Sequence, residues 1–188
     1  MTRIIAGFAG SITLAVPRTG TRPTSDRVRE AIFSALHSRD ALHGARVADL
    51  YAGTGALGLE AASRGARSVV LVEHAPSAIR ICLDNVTRVL RNAPKDARPD
   101  VTAVLHSVTS FLKSSTAEWD LVFIDPPYDL DNDEISRILA ELVPRLAPEA
   151  IIVLERATKS PEPAWPEGIH LTRSKKYGDT TLWWAAAG

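Results

Sequence analysis

Apolar positions recur along this chain in two periods. Between residues 26 and 37, Val28, Ala31, Ile32, Ala35 and Leu36 fall on one helical face, and Arg27, Arg29 and Glu30 on the polar side. Thr24 or Ser25 can cap that helix. Short β-branched runs then alternate with helical spacing. Strands are predicted at Arg46–Leu50, Ser68–Glu73, Val101–Leu105, Asp120–Asp125 and Ala150–Glu155. Between them lie helices at Ala56–Arg64, Pro76–Leu90, Thr109–Lys113 and Glu134–Leu146. Continuous apolar runs mean strands buried on both faces, hence a mostly parallel sheet covered by helices. Two further strands, Ile169–Lys175 and Thr180–Ala185, flank Gly178-Asp179, a plausible hairpin turn. At the other end, residues 3–8 and 12–16 read as a β-hairpin around Gly10-Ser11.

These elements divide the chain into a hairpin extension, residues 1–20, and one α/β domain, residues 21–188. The apolar stretch Ile4–Val16 is broken by Gly7, Gly10, Ser11 and Thr13, and no small-residue cleavage site follows. Nor does any run approach the ~20 apolar residues of a membrane span. A hydrophobic fraction of 45% and a charged fraction of 23% suit a soluble globular domain. The single cysteine, Cys82, cannot form an internal disulfide and lies in a helical pattern with Ile79, Leu83 and Val86, so a core role is expected. The expectation is a soluble, cytoplasmic monomer.

The net charge is zero, but it is unevenly spread. Residues 1–46 carry seven arginines against three acidic residues, a net of +4. Residues 156–176 carry five basic against two acidic residues, a net of +3. Residues 118–149 carry two basic against nine acidic residues, a net of −7. Basic ends around an acidic middle suit an RNA-facing rim around an acidic pocket, or equally a set of solvated faces.

The chemistry concentrates at two strand ends. Asp49-Leu-Tyr-Ala-Gly53-Thr54-Gly55-Ala-Leu-Gly58 lies where a strand turns into a helix, and its glycines allow close backbone approach to a ligand. Glu73 ends the next strand, where a carboxylate can accept from both hydroxyls of a ribose. This pattern alone serves a nicotinamide dinucleotide as well as S-adenosylmethionine. Asp49 favours the latter, because a sulfonium and an ammonium suit acidic neighbours and a pyrophosphate does not.

The second site is Asp125-Pro126-Pro127-Tyr128, closing the fourth strand. Two prolines remove two backbone donors and leave their carbonyls free to accept. The Asp125 side chain and the Pro126 carbonyl can each take one hydrogen of a planar amine, turning its lone pair toward a methyl donor. Tyr128 offers a face for a base, worth about 1–3 kcal/mol of stacking, and the base must be unstacked to reach it. In a doubly wound sheet the first and fourth strands are neighbours at the switch point, about 4.8 Å apart. Donor and acceptor would thus lie side by side. Positioning of this kind supplies roughly 7–11 kcal/mol, and the transfer requires no metal. The five histidines show no ligand spacing.

These residues resemble the RsmD family, bacterial 16S rRNA guanine-N2 methyltransferases. The resemblance covers nearly the whole chain. It runs through Arg22-Pro-Thr24-Ser-Asp26-Arg27-Val-Arg29-Glu30, Asp49–Gly58, Glu73, Asp125–Tyr128 and Tyr177-Gly178-Asp179-Thr180. It implies a class I S-adenosylmethionine-dependent methyltransferase fold, with seven strands in the order 3-2-1-4-5-7-6 and the seventh antiparallel. It implies that Gly53, Gly55 and Glu73 bind S-adenosylmethionine, beside which Asp49 and Thr54 of the same loop are candidates, and that Asp125 to Tyr128 hold a guanine of the guanine-966 type. The substrate would be 16S rRNA within an assembling small ribosomal subunit, with the N-terminal hairpin helping to dock it. One departure is the segment Leu105-His106-Ser107-Val108, where related enzymes carry an acidic residue toward adenine. Here Ser107 or a backbone group would take that contact. Arg22, Arg27, Arg29, Lys175 and Lys176, with Arg173, are candidates for RNA phosphates; Arg27 or Arg29 could instead meet the methionine carboxylate.

Four other readings remain open. An adenine-N6 methyltransferase acting on RNA or DNA can use the same motif. A protein-glutamine methyltransferase would carry Asn in place of Asp125. A nicotinamide-dependent oxidoreductase would leave the DPPY motif unused. A non-catalytic RNA-binding module would not need Asp125 or the glycines intact.

Overall fold

In a computed structural model that describes residues 2–17 and 25–188, the predicted strands join into one seven-stranded sheet. Helix α1 (Asp26–His37) comes first. The chain then runs β1 (Arg46–Leu50), α2 (Ala56–Ser63), β2 (Ser68–Glu73), α3 (Pro76–Leu90), β3 (Asp100–Leu105), α4 (Val108–Ser114), β4 (Trp119–Ile124), α5 (Asn132–Leu142), β5 (Leu146–Ala157), β6 (Ile169–Tyr177) and β7 (Thr180–Ala187). The spatial order is β3-β2-β1-β4-β5-β7-β6, as expected. β7 runs antiparallel to both its neighbours, and all other pairs are parallel.

The reason β4 reads as an unbroken apolar run is visible in its packing. Leu121 and Phe123 face a cluster formed with the hairpin, α1, α2 and α3. Val122 and Ile124 face a second cluster formed with α4 and α5. Both faces of the strand are therefore removed from water. Phe33 of α1 meets Phe123 with ring centroids 5.7 Å apart. Cys82 is fully buried in the first cluster, and burial pushes its thiol up to about 12.

Three boundaries differ from expectation for identifiable reasons. α5 starts two residues early because the Asp131 side chain accepts the Glu134 N–H at 2.7 Å, an N-cap. It ends at Leu142 because Pro144 follows and tightens the chain into a 3-10 turn, Val143–Arg145. β5 starts at Leu146, opposite Trp119; an irregularity before the Leu121–Ile151 pair absorbs Pro148 and Glu149, the latter at φ 60°.

The N-terminal hairpin is tighter than predicted. Among the described residues a single bridge pairs Arg3 with Thr13, and residues 6–11 form bends and turns rather than a strand. The backbone N–H groups there are taken by α2. Ile5 and Ala6 donate to the buried Glu60 carboxylate at 2.6 and 3.0 Å. Ala9 donates to Ser63 Oγ at 3.0 Å, and Ser63 donates to the Ala6 carbonyl at 2.6 Å. Side chains of a helix thus replace the ladder partner the strand would have needed.

Arg29 also differs. Helical spacing puts it on the polar face of α1, but it is fully buried. Its Nη2 donates to the Arg3 carbonyl at 2.9 Å and to Asp26 Oδ1 at 2.6 Å. A guanidinium held in this way ties α1 to the hairpin and presents no surface to an RNA phosphate. No helix among the described residues is long and apolar enough to cross a membrane.

Candidate active site

The glycine loop and the proline loop leave the sheet side by side. Leu50 pairs with Ile124, and the next amide, Asp125 N–H, points to the Leu50 carbonyl at 3.4 Å. Residues 51–55 and 125–131 therefore start at one level, beyond the carboxyl ends of adjacent parallel strands.

The glycine loop is braced from three sides. Gly55, at φ 79°, caps α2; a Cβ there would stand 3.1 Å from Cys82 Sγ and strain the backbone. Asn85, fully buried on α3, donates to the Thr54 carbonyl at 2.9 Å and to the Ala15 carbonyl at 3.0 Å, and accepts from Ala15 N–H at 2.8 Å. Glu73 Oε2 accepts from Gly53 N–H at 2.9 Å, and Oε1 from Ala75 N–H at 2.7 Å. His74 Nδ1 also lies 3.3 Å from Oε1, but Oε2 keeps a second lone pair, so the carboxylate can shape the loop and still receive a ribose hydroxyl. Tyr51, between the strand and the glycines, adopts φ 69°, and burial above all raises its hydroxyl to about 12.

The electrostatics are acidic. Asp49 is 1% exposed and accepts the Gly58 N–H at 2.8 Å. Burial pushes its carboxyl up to about 7; Gly58 opposes that shift, and Asp125 and Glu73 add to it by repulsion. Three carboxyl groups thus share one region, an arrangement that fits a cofactor carrying a sulfonium and an ammonium and opposes a pyrophosphate. The loop also fits sterically, since a Cβ on Gly53 would meet nothing within 4 Å. Ser107 caps α4, accepting from Ser110 N–H at 3.3 Å. It lies just beyond β3, whose last residue pairs with Glu73, and its hydroxyl hydrogen is left to donate.

In the proline loop, Pro126 is buried, Asp125 half-buried, and Pro127 and Tyr128 exposed. The Pro127 carbonyl accepts from Leu130 N–H at 3.0 Å, while the Pro126 carbonyl has no hydrogen bond among the described residues. It is the Pro126 carbonyl that stays available to an amine. Where the loop enters α5, Arg156 of β5 donates to Asn132 Oδ1 at 3.2 Å.

The basic segments converge in part. Arg27, with Ser25 and Val28, faces Lys175, Lys176, Tyr177 and Gly178 across a groove of about 350 Å³. Arg173 instead stacks over Trp184 at 5.1 Å. Arg22 lies outside the described residues. A larger cavity, about 560 Å³, opens at the opposite end of the sheet between Gly7, His43 and Arg98. It holds none of the candidate residues, so chemistry rather than volume locates the site.

Glu60, Asn85 and Arg156 were not singled out from the sequence. For Asn85 a signal existed, since it shares the apolar face of α3 with Cys82 and Val89. For Glu60 the signal was an acid inside a small-residue helix that is buried throughout its length except at Ala56. Arg156 carried none, because a charged residue at a strand end usually meets water.

A family model described as "Conserved hypothetical protein 95" matches residues 2–186. The chain is 34% identical to the Ribosomal RNA small subunit methyltransferase D of Escherichia coli K12 over 179 residues, 94% of this chain and 85% of that one. Among solved structures, the protein yhhF of Escherichia coli superposes with a TM-score of 0.83 at 29% identity, covering 99% and 97% of the two chains. A magnesium protoporphyrin IX methyltransferase of Synechocystis PCC 6803 with bound S-adenosylmethionine superposes with a TM-score of 0.68 at 14% identity, over 90% and 87% of the chains. The architecture is that of a class I methyltransferase.

Proposed function

The chain belongs to the RsmD family, and on that footing we propose that it transfers a methyl group from S-adenosylmethionine to the exocyclic N2 of one guanine in 16S rRNA of the small ribosomal subunit. The observation that carries this reading is the junction of Leu50 with Asp125, which sets the glycine loop and the Asp125–Tyr128 loop side by side. When bound, the cofactor supplies an activated methyl group on a cationic sulfur.

The chain's own residues do the rest. Glu73 and the Gly53–Gly55 backbone hold the ribose end, and Asp49 offsets positive charge from beneath. Ser107 faces the adenine. Asp125 Oδ and the Pro126 carbonyl each accept one N–H of the guanine amine, which takes the nitrogen lone pair out of the ring plane and aims it at the methyl carbon. After transfer the nitrogen carries an extra proton, and the half-buried Asp125 is placed to receive it. Tyr128 stacks on the flipped base. Arg27, Lys175 and Lys176 line the groove next to the loop and take RNA phosphates. Within this scheme residues 1–20 serve as an extension that braces the methyltransferase domain of residues 21–188. Relatives of this name act on small-subunit rRNA, and a guanine of the 966 type within an assembling subunit is the proposed target.

The test is a methyl-transfer assay with labelled cofactor on small subunits lacking the modification, beside free 16S RNA, duplex DNA and bulk protein. N2-methylguanine in 16S RNA is the expected product. N6-methyladenine would keep the mechanism and replace the substrate; no label anywhere would sink the catalytic reading.

A further inference from the structure

Tyr128 is a loop residue, 44% exposed, yet the far end of its ring is fixed. Its hydroxyl lies 3.0 Å from Thr180 Oγ1, across 52 residues of sequence. Thr180 donates its one hydroxyl hydrogen to Glu155 Oε1 at 3.3 Å. Thr180 Oγ1 must then accept, and Tyr128 must donate, so the chain of bonds runs from Tyr128 to Thr180 to Glu155. Thr180 and Glu155 are both buried, at 8% and 5% exposure, on neighbouring antiparallel strands.

The anchor is itself rigid. Thr158 donates its N–H to the Asp179 carbonyl at 2.8 Å and its hydroxyl to the Gly178 carbonyl at 2.9 Å. Thr181 donates to Thr158 Oγ1 at 3.2 Å. The β6–β7 turn is thereby tied to the end of β5, and Thr180 is its first strand residue. Two residues before it, Gly178 lines the basic groove.

We propose that Thr180 is a positioning residue for the methyl-transfer reaction, holding the Tyr128 ring in its stacking orientation from the same hairpin that carries Lys175 and Lys176. The inference rests on reading Asp125–Tyr128 as the base-holding loop. A ring fixed at its Cα and its hydroxyl has lost its χ1 freedom before the base arrives, so that ordering is not charged to the reaction. Docking of RNA on the hairpin and stacking of the base on Tyr128 then share one rigid support.

The experiment compares wild type, Thr180→Val, Thr180→Ser, Tyr128→Phe, the Tyr128→Phe/Thr180→Val double variant and Asp125→Ala on undermethylated small subunits at saturating cofactor. Thr180→Val keeps shape and loses the hydroxyl. Its kcat should fall about three- to tenfold, the kinetic equivalent of one net hydrogen bond. The KM for subunits and the affinity for S-adenosylmethionine should stay at wild-type values, while the melting temperature falls by a few degrees because the buried Glu155 loses a donor. Thr180→Ser should restore kcat. Tyr128→Phe should match Thr180→Val, and the double variant should be no slower than either single one. Wild-type kcat in Thr180→Val, or losses that multiply in the double variant, would overturn the proposal. Should Thr180→Val fail to fold, Tyr128→Phe removes the same bond from the exposed side, and wild-type kcat there overturns it equally. An inactive Asp125→Ala beside a fully active Thr180→Val removes only this inference; an active Asp125→Ala removes the base-holding reading beneath it.

Discussion

The Gly58 N–H donates to Asp49 Oδ2 at 2.8 Å, locking a buried carboxyl of β1 beneath the first turn of α2. That carboxyl sits at about 7, mainly through burial, against an unfolded value of about 3.9. Between these values the folded protein keeps a proton that the unfolded chain has released. The group's contribution to stability is therefore complete below about pH 4 and is lost as the pH rises through about 7. Asp49→Asn cannot ionise. Chemical denaturation of both proteins should show the wild type losing ground to the variant between about pH 4 and pH 7; a difference that stays constant over that range would refute the assignment.

Gly58 also marks a close contact. A Cβ there would lie 2.3 Å from Leu71 Cδ2 and 2.9 Å from Val69 Cγ1, so a side chain must displace these buried residues or shift α2 from β2. Gly58→Val should cost about 1–3 kcal/mol, which thermal unfolding would report as a drop of about 2–4 °C for each kcal/mol. Because α2 opens on the glycine loop, the variant should also bind S-adenosylmethionine more weakly by calorimetry.

Asp125 tests the chemistry. Asp125→Ala should lower kcat by about 10²–10³-fold, the scale on which a preorganised group at a reacting centre acts. Calorimetry should find the cofactor still bound. Near-normal turnover would move the amine contact elsewhere.

The groove tests the substrate. Lys175→Ala and Lys176→Ala should each raise the KM for RNA while leaving kcat in place. If each lysine meets one phosphate, each variant should lower the slope of log affinity against log salt by about 0.7–0.9. Slopes identical to wild type would mean that these lysines face only solvent.

Much of this was readable in the sequence. The ends of α1, β2 and α3 follow directly from Ser25, the β-branched run of residues 68–73, and Pro76. Both candidate loops were legible because glycines and prolines mark backbone geometry locally. What escaped depended on partners far along the chain. Arg29 counts as polar by helical spacing, yet it is buried, with Nη2 bonded to the Arg3 carbonyl and Asp26, partners that helical spacing alone does not reveal. Residues 3–8 read as a short apolar strand, but Glu60 and Ser63 satisfy the backbone of Ile5, Ala6 and Ala9 from across the fold. Thr180 stood within a recognised motif, yet its role needs Tyr128, 52 residues away.

The order of the last three strands has a further consequence. β6 lies at the edge and touches the sheet only through β7. Whenever β7 peels from β5, β6 leaves with it, so β6 amides should exchange no more slowly in hydrogen exchange than the β7 amides bonded to β5. Lys175 and Lys176 depart in that event together with the anchor of Tyr128. If Lys175 and Lys176 take the phosphates and Tyr128 the base, a partly opened molecule that grips the nucleic acid but misplaces the base is thereby avoided: the one fluctuation would switch off capture and chemistry together.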